Sequence, residues 1–101
     1  MIGKVKILPT AWEDLKHIED WCLLKSGAEA ALEAGDGILD TLERLEMFPD
    51  MGSLLPDDWL AQQGHRMAVC QKYIAFYRQI GDVVYVYHIA DTQTEYTRLF
   101  C

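Results

Sequence analysis

Late in the chain Arg66, Lys72, Arg78 and Arg98, together with His88, are residue types suited to chemistry on an anion. A guanidinium stays charged at any accessible pH and offers a rigid fork of donors to phosphate or carboxylate. An imidazole gives or takes a proton near neutrality. Their surroundings favour such a role. Residues 65–101 hold Arg66, Lys72, Arg78 and Arg98 against only Asp82, Asp91 and Glu95, while the rest of the 16 acidic residues lie earlier in the chain. An anionic partner should therefore meet the C-terminal third. The net charge of −7 itself argues against strong nonspecific binding to nucleic acid, which depends on phosphate neutralisation by Lys and Arg. The 3 cysteines, Cys22, Cys70 and Cys101, are widely spaced and form no Cys-x-x-Cys or Cys/His cluster. They read as reduced thiols rather than a disulfide framework or a metal site, and no cofactor is expected.

The elements that must position these residues can be read from periodicity. Val5 to Leu8 is a short strand closed by Pro9. Thr10 with Glu13 three residues on is the capping-box arrangement, so a helix is expected to start there. Trp12, Leu15, Ile18 and Cys22 recur at helical spacing until Ser26-Gly27. A second helix is expected from about Ala28 to Phe48, with Ala31, Ala34, Ile38, Leu42 and Leu45 as its stripe. Gly35 and Gly37 each cost it about 1 kcal/mol against alanine, and they either permit close contact with the first helix or mark a kink. Two helices joined by a tight turn make a helical hairpin. Residues 50–64 read as a loop with one helical turn at 57–62.

From His65 the period becomes two. Three strands are expected: Arg66–Cys70, Tyr73–Ile80 and Val83–Ile89, the last two joined by a tight Gly81-Asp82 turn. The fold class is α+β, with an N-terminal strand, a helical hairpin, a three-stranded antiparallel meander and a short C-terminal tail. At 101 residues the chain has room for one domain. No run approaches the roughly 18 apolar residues of a membrane span. The N-terminus also lacks the apolar core of a secretion signal, which points to the cytoplasm.

The order of these features resembles the RelE/ParE superfamily of toxins from bacterial type II toxin–antitoxin systems. The resemblance is carried by Trp12-Glu13-Asp14-Leu15 with Ile18 and Trp21, and by Leu45 running into Phe48-Pro49-x-x-Gly52. Further along, Gly64-x-Arg66, Tyr73-x-x-x-Tyr77-Arg78, Val84-x-Val86-x-x-Ile89 and the stretch from Asp91 through Tyr96 to Leu99-Phe100 are similar to the family pattern. It implies a sheet of roughly four strands packed on the hairpin, with the N-terminal strand joining the meander. A cognate antitoxin partner is implied too, and homodimerisation of the free toxin is left open.

Two activities occur in the superfamily. RelE-like members cleave messenger RNA on the ribosome and so inhibit translation, whereas ParE-like members poison DNA gyrase without hydrolysis. A shared fold does not separate them; a ribosome-dependent mRNA endonuclease is the first expectation, a gyrase inhibitor the alternative, and a chain that only binds its antitoxin a third reading. Metal-free RNA cleavage needs a base for the 2′-hydroxyl, a cation at phosphorus and an acid for the leaving oxygen. By resemblance, Arg66 fits the basic position opening the first meander strand, and Tyr96 fits a tail tyrosine that orients or deprotonates the nucleophile. The chain departs from that pattern elsewhere. Ala68 and Ile74 stand where cations are expected, and Ala90 to Glu95 contains none. Arg78 and His88 are the candidates to compensate, giving a candidate catalytic set of Arg66, Arg78, His88 and Tyr96. Each also has a structural reading. Arg66 can pair with acidic residues of the 50–64 loop or with the antitoxin, Arg78 can make an ion pair at the core edge, His88 can take a hydrogen-bond partner, and Tyr96 can pack on the sheet. His17 and His65 read as ordinary surface histidines.

Overall fold

The computed structural model describes residues 4–92. In chain order the elements are β1 (Lys4–Ile7), α1 (Pro9–Ser26), α2 (Ala28–Met47), β2 (Ser53–Leu54), α3 (Asp58–Gln62), β3 (His65–Cys70), β4 (Tyr73–Ile80) and β5 (Val83–Asp91). They form the expected α+β arrangement, but the sheet is wider than the meander alone. Its five strands run in the order β1-β5-β4-β3-β2. β1 lies parallel to β5, and β2 pairs with β3 through only Ser53 and Leu54. A two-residue strand is too short to show a period of two, which is why 50–64 reads as loop in the sequence. The helical turn expected there is α3, which Asp57 caps by accepting a hydrogen bond from the Leu60 amide.

The first helix begins earlier than the capping box suggests. Pro9 occupies its first turn and Leu8 its N-cap position, with no side-chain cap. Proline suits that place, since its missing amide would be unsatisfied there anyway. Thr10 is thereby freed from capping, and its hydroxyl donates instead to the Tyr87 carbonyl at 2.6 Å. The helix ends at Gly27, whose φ of 94° is open to glycine at no steric cost. Where Gly35 passes α1, a Cβ would stand 2.7 Å from Glu19 Oε2. The expectation of close helix contact therefore holds at that glycine.

The hairpin covers one face of the sheet. Ala11, Leu15 and Cys22 from α1 and Ile38, Leu42 and Leu45 from α2 are buried against Ala68, Tyr73, Ala75, Tyr77, Val84, Val86 and Ile89. The opposite face is covered only in part, where Leu55 and Leu60 lie over Phe76. Two-residue turns set the register: Cys70 faces Tyr73 across Gln71-Lys72, and Ile80 faces Val83 across Gly81-Asp82. A bulge breaks the β4–β5 ladder, so that Phe76 faces His88 while Tyr77 faces Val86. Among the described residues, no helix is long and apolar enough to cross a membrane.

Candidate functional site

Side chains alternate faces along a strand, so the register decides which candidates meet. Arg66 lies opposite Tyr77, which is buried among the helix-facing residues. Its Nη1 donates to the Gly52 carbonyl at 2.7 Å and, at 3.5 Å, to that of Asp50. The Tyr77 hydroxyl accepts the Gly52 amide at 3.0 Å. Both side chains therefore grip one turn, the turn that delivers β2 to the sheet edge. A Cβ on residue 52 would run into the Met67 carbonyl oxygen and the Tyr77 hydroxyl, so this clamp closes only on glycine. Burial pushes the Tyr77 hydroxyl pKa up from its usual 10.0; the Gly52 bond and the Arg66 charge act against the rise. The pairing expected between Arg66 and the 50–64 loop is present, but with backbone carbonyls rather than carboxylates.

Arg78 follows Tyr77 and so projects from the other face, away from Arg66. Its cross-strand neighbours are His65 on β3 and Tyr85 on β5. The His65 ring packs against Tyr87 with centroids 5.6 Å apart and planes tilted by 58°. His65 is thus half-buried in a cluster with Arg78, Tyr85 and Tyr87, not the ordinary surface histidine expected. Burial, and then the Arg78 charge, lower its pKa from 6.5, which keeps the ring neutral at pH 7. The signal for this cluster was present in the turn: fixing the two-residue loop at Gln71-Lys72 places His65 against Arg78.

His88 faces Phe76 and so lies on the sheet face of Arg78, opposite to that of Arg66, at the end of β5 that β1 does not cover. There the N-terminal half of α1 takes over the strand edge. Asp14 Oδ2 lies 2.9 Å from His88 Nδ1 and accepts the Ile89 amide at 3.0 Å. One carboxylate thus orients the ring and replaces a missing strand partner. Tyr96 falls outside the described residues. Of the four sequence candidates, Arg66 and Arg78 occupy opposite faces, and Asp14 holds His88 at the sheet edge. Among the described residues, no group of three or more His, Cys, Asp or Glu is placed to hold a metal ion.

The family of ParE toxins from type II (parDE) toxin–antitoxin systems matches residues 5–96, nearly the whole chain. The chain belongs to this family. It is therefore a toxin of a type II toxin–antitoxin system. Two solved structures share the fold of this ParE-family chain. One, from a chromosomal ParDE toxin–antitoxin system of P. aeruginosa, is 23% identical with a TM-score of 0.75, over 89% of this chain and 96% of that one. The other, the RelBE2 toxin–antitoxin complex of Mycobacterium tuberculosis, is 22% identical with a TM-score of 0.59, over 90% and 99% of the two chains. No curated protein matches the sequence.

Proposed function

We propose that this ParE-family toxin is held inactive by a cognate antitoxin and acts on DNA gyrase without hydrolytic chemistry. The observation that carries this reading is that the two candidate cations occupy opposite faces of the sheet and the candidate acid–base histidine is held by Asp14. Acid, base and cation must lie within about 3 Å of the reacting atoms to share one transition state. Arg66 is committed to the turn at Gly52, and Arg78 projects from the other side of the sheet. His88 is engaged by Asp14. Binding a protein target requires no such convergence and suits a chain of net charge −7. The test is to add the purified chain to gyrase with supercoiled DNA and, in parallel, to a translating extract. Trapped, cleaved DNA with intact message is expected. Unimpaired supercoiling together with cut message would overturn the reading.

The RNA-cleaving alternative draws support from a different group, the His65, Arg78, Tyr85 and Tyr87 cluster. There a neutral imidazole stands near a guanidinium on the partly uncovered face. On that reading His65 serves as base and Arg78 as the phosphate cation. Message cleavage that disappears in His65→Ala and Arg78→Ala, but persists in Arg66→Met, would favour it.

A further inference from the structure

The face of the sheet turned away from the helical hairpin carries cations in register. Val5 and Ile7 pack toward the core, so Lys4 and Lys6 project from the other face of β1, and both are exposed. Lys6 pairs with Tyr85, Tyr85 with Arg78, and Arg78 with His65. One row of side chains therefore crosses four strands, on the face that Arg78 shares with Phe76. Neighbouring strands lie about 4.8 Å apart, which sets Lys6 and Arg78 roughly 10 Å from one another with Tyr85 between. Lys4 stands beside this row, opposite Val83. Among the described residues, none of Lys4, Lys6 and Arg78 is in an ion pair. Most of the 16 acidic residues lie on α1 and α2, in the layer behind the sheet. Asp82, in the turn before β5, and Asp58, on α3, flank the face.

We propose that this face binds the phosphate backbone of duplex DNA, with Lys4, Lys6 and Arg78 as its cations. The two lysines serve as mobile point charges, and the half-buried Arg78 offers its fork of donors from a fixed place in the row. Tyr85 and Tyr87 add hydroxyls of the kind that donate to phosphate oxygens. Both tyrosines are half-buried, and the Tyr87 ring packs on His65. Rings held among neighbours suit backbone contact better than the stacking of unpaired bases, which needs a ring standing clear. Three cations on a chain of net charge −7 give a contact that is weak alone and confined to one face, because phosphate repels the acidic hairpin. Such a contact strengthens where a second surface already holds the DNA nearby. That the polyanion is duplex DNA rests on the gyrase reading above; the row of cations does not depend on it.

The probe is a fluorescein-labelled DNA duplex of about 20 base pairs, titrated with the full chain while anisotropy is followed at several salt concentrations. Release of counterions from about three phosphates predicts a roughly 40-fold loss of affinity between about 50 and 200 mM salt. Lys4→Gln/Lys6→Gln should reduce that loss to about fourfold, and Arg78→Gln to about tenfold. Lys16→Gln, on the exposed side of α1, should leave it unchanged. The circular dichroism of each variant should match the parent; the two lysines are exposed, so their double variant reads binding even where Arg78→Gln disturbs the strand. Absence of binding at the lowest salt, a salt dependence untouched by these variants, or equal weakening by Lys16→Gln would each overturn the proposal. Tighter binding of a single-stranded RNA of equal length, lost in Arg78→Gln, would also overturn it and give the face to message. The assay contains no gyrase, so the two readings fail separately. Duplex binding with supercoiling unimpaired would refute the gyrase reading alone, and gyrase poisoning without duplex binding would refute this proposal alone.

Discussion

The clamp on Gly52 gives the sharpest prediction, because two side chains far apart in sequence converge on one peptide unit. Replacing Tyr77 with phenylalanine removes the hydroxyl that accepts the Gly52 amide, from a residue that is 0% exposed. The Gly52 amide left behind is half-buried, so its loss of a partner should cost about 1 kcal/mol, toward the low end of the range for a buried donor. For a domain of this size, each kcal/mol lowers Tm by roughly 4–8 °C. Arg66→Met keeps the aliphatic stem but loses the donor to the Gly52 carbonyl. That bond is charge-assisted but partly exposed, so its loss should cost about 1 kcal/mol. The double variant should not be additive. Once either grip is lost the turn can relax, and the second loss then costs less, with a coupling of about 0.5 kcal/mol or more. Urea unfolding of the four proteins at one temperature measures the cycle. Additive losses, or a Tyr77→Phe midpoint equal to the parent's, would refute the idea that both side chains hold the same turn.

Three further outcomes follow from other contacts. Asp14→Ala should accelerate hydrogen exchange at the Ile89 amide far more than at Val84, since the Asp14 carboxylate accepts that edge amide; unchanged protection at Ile89 would remove the edge-capping role. His65 has a lowered folded pKa, so below its unfolded value of about 6.5 the unfolded chain binds the proton first. Stability should thus fall as pH drops through that region, and His65→Phe should flatten the decline in Tm between neutral and mildly acidic buffer. Tyr73 is pushed up to about 12, chiefly by burial and by its 3.3 Å contact with Cys22 Sγ. Its contribution is fully present below the unfolded value of 10 and is lost as pH rises through the folded one. An alkaline titration at the tyrosinate absorption band should find a late-ionising group that includes Tyr73 and Tyr77, and Tyr73→Phe should shrink it by one residue.

Much of the fold is legible in the residues because it is local. The helical stripe from Leu15 to Cys22, the Gly27 turn and the Gly81-Asp82 hairpin each depend on neighbours within a few positions. The period of two from His65 onward likewise marks β3, β4 and β5, and it correctly puts Arg78 in phase with Ile74 and Phe76. Elements of little length or with distant partners escape such reading. β2 owes its existence to pairing with Met67 and Arg66, not to its own two residues. Thr10 carries a capping signature, but Pro9 starts the helix and a carbonyl 77 positions away takes the hydroxyl.

The candidate site shows the same division more sharply. The resemblance singles out Arg66, with Arg78 and His88 as the residues to compensate for the cations it lacks, and the acidity of the remaining chain points an anionic partner to the C-terminal third. Their fates were decided by pairing register. One residue of alternation sends Arg66 toward the Gly52 turn and Arg78 to the opposite side. The same register turns His65 from a surface residue into a neighbour of Arg78 and Tyr87. A strand's sequence fixes which residues share a face, but only pairing with other strands and packing of the helices fix what that face meets.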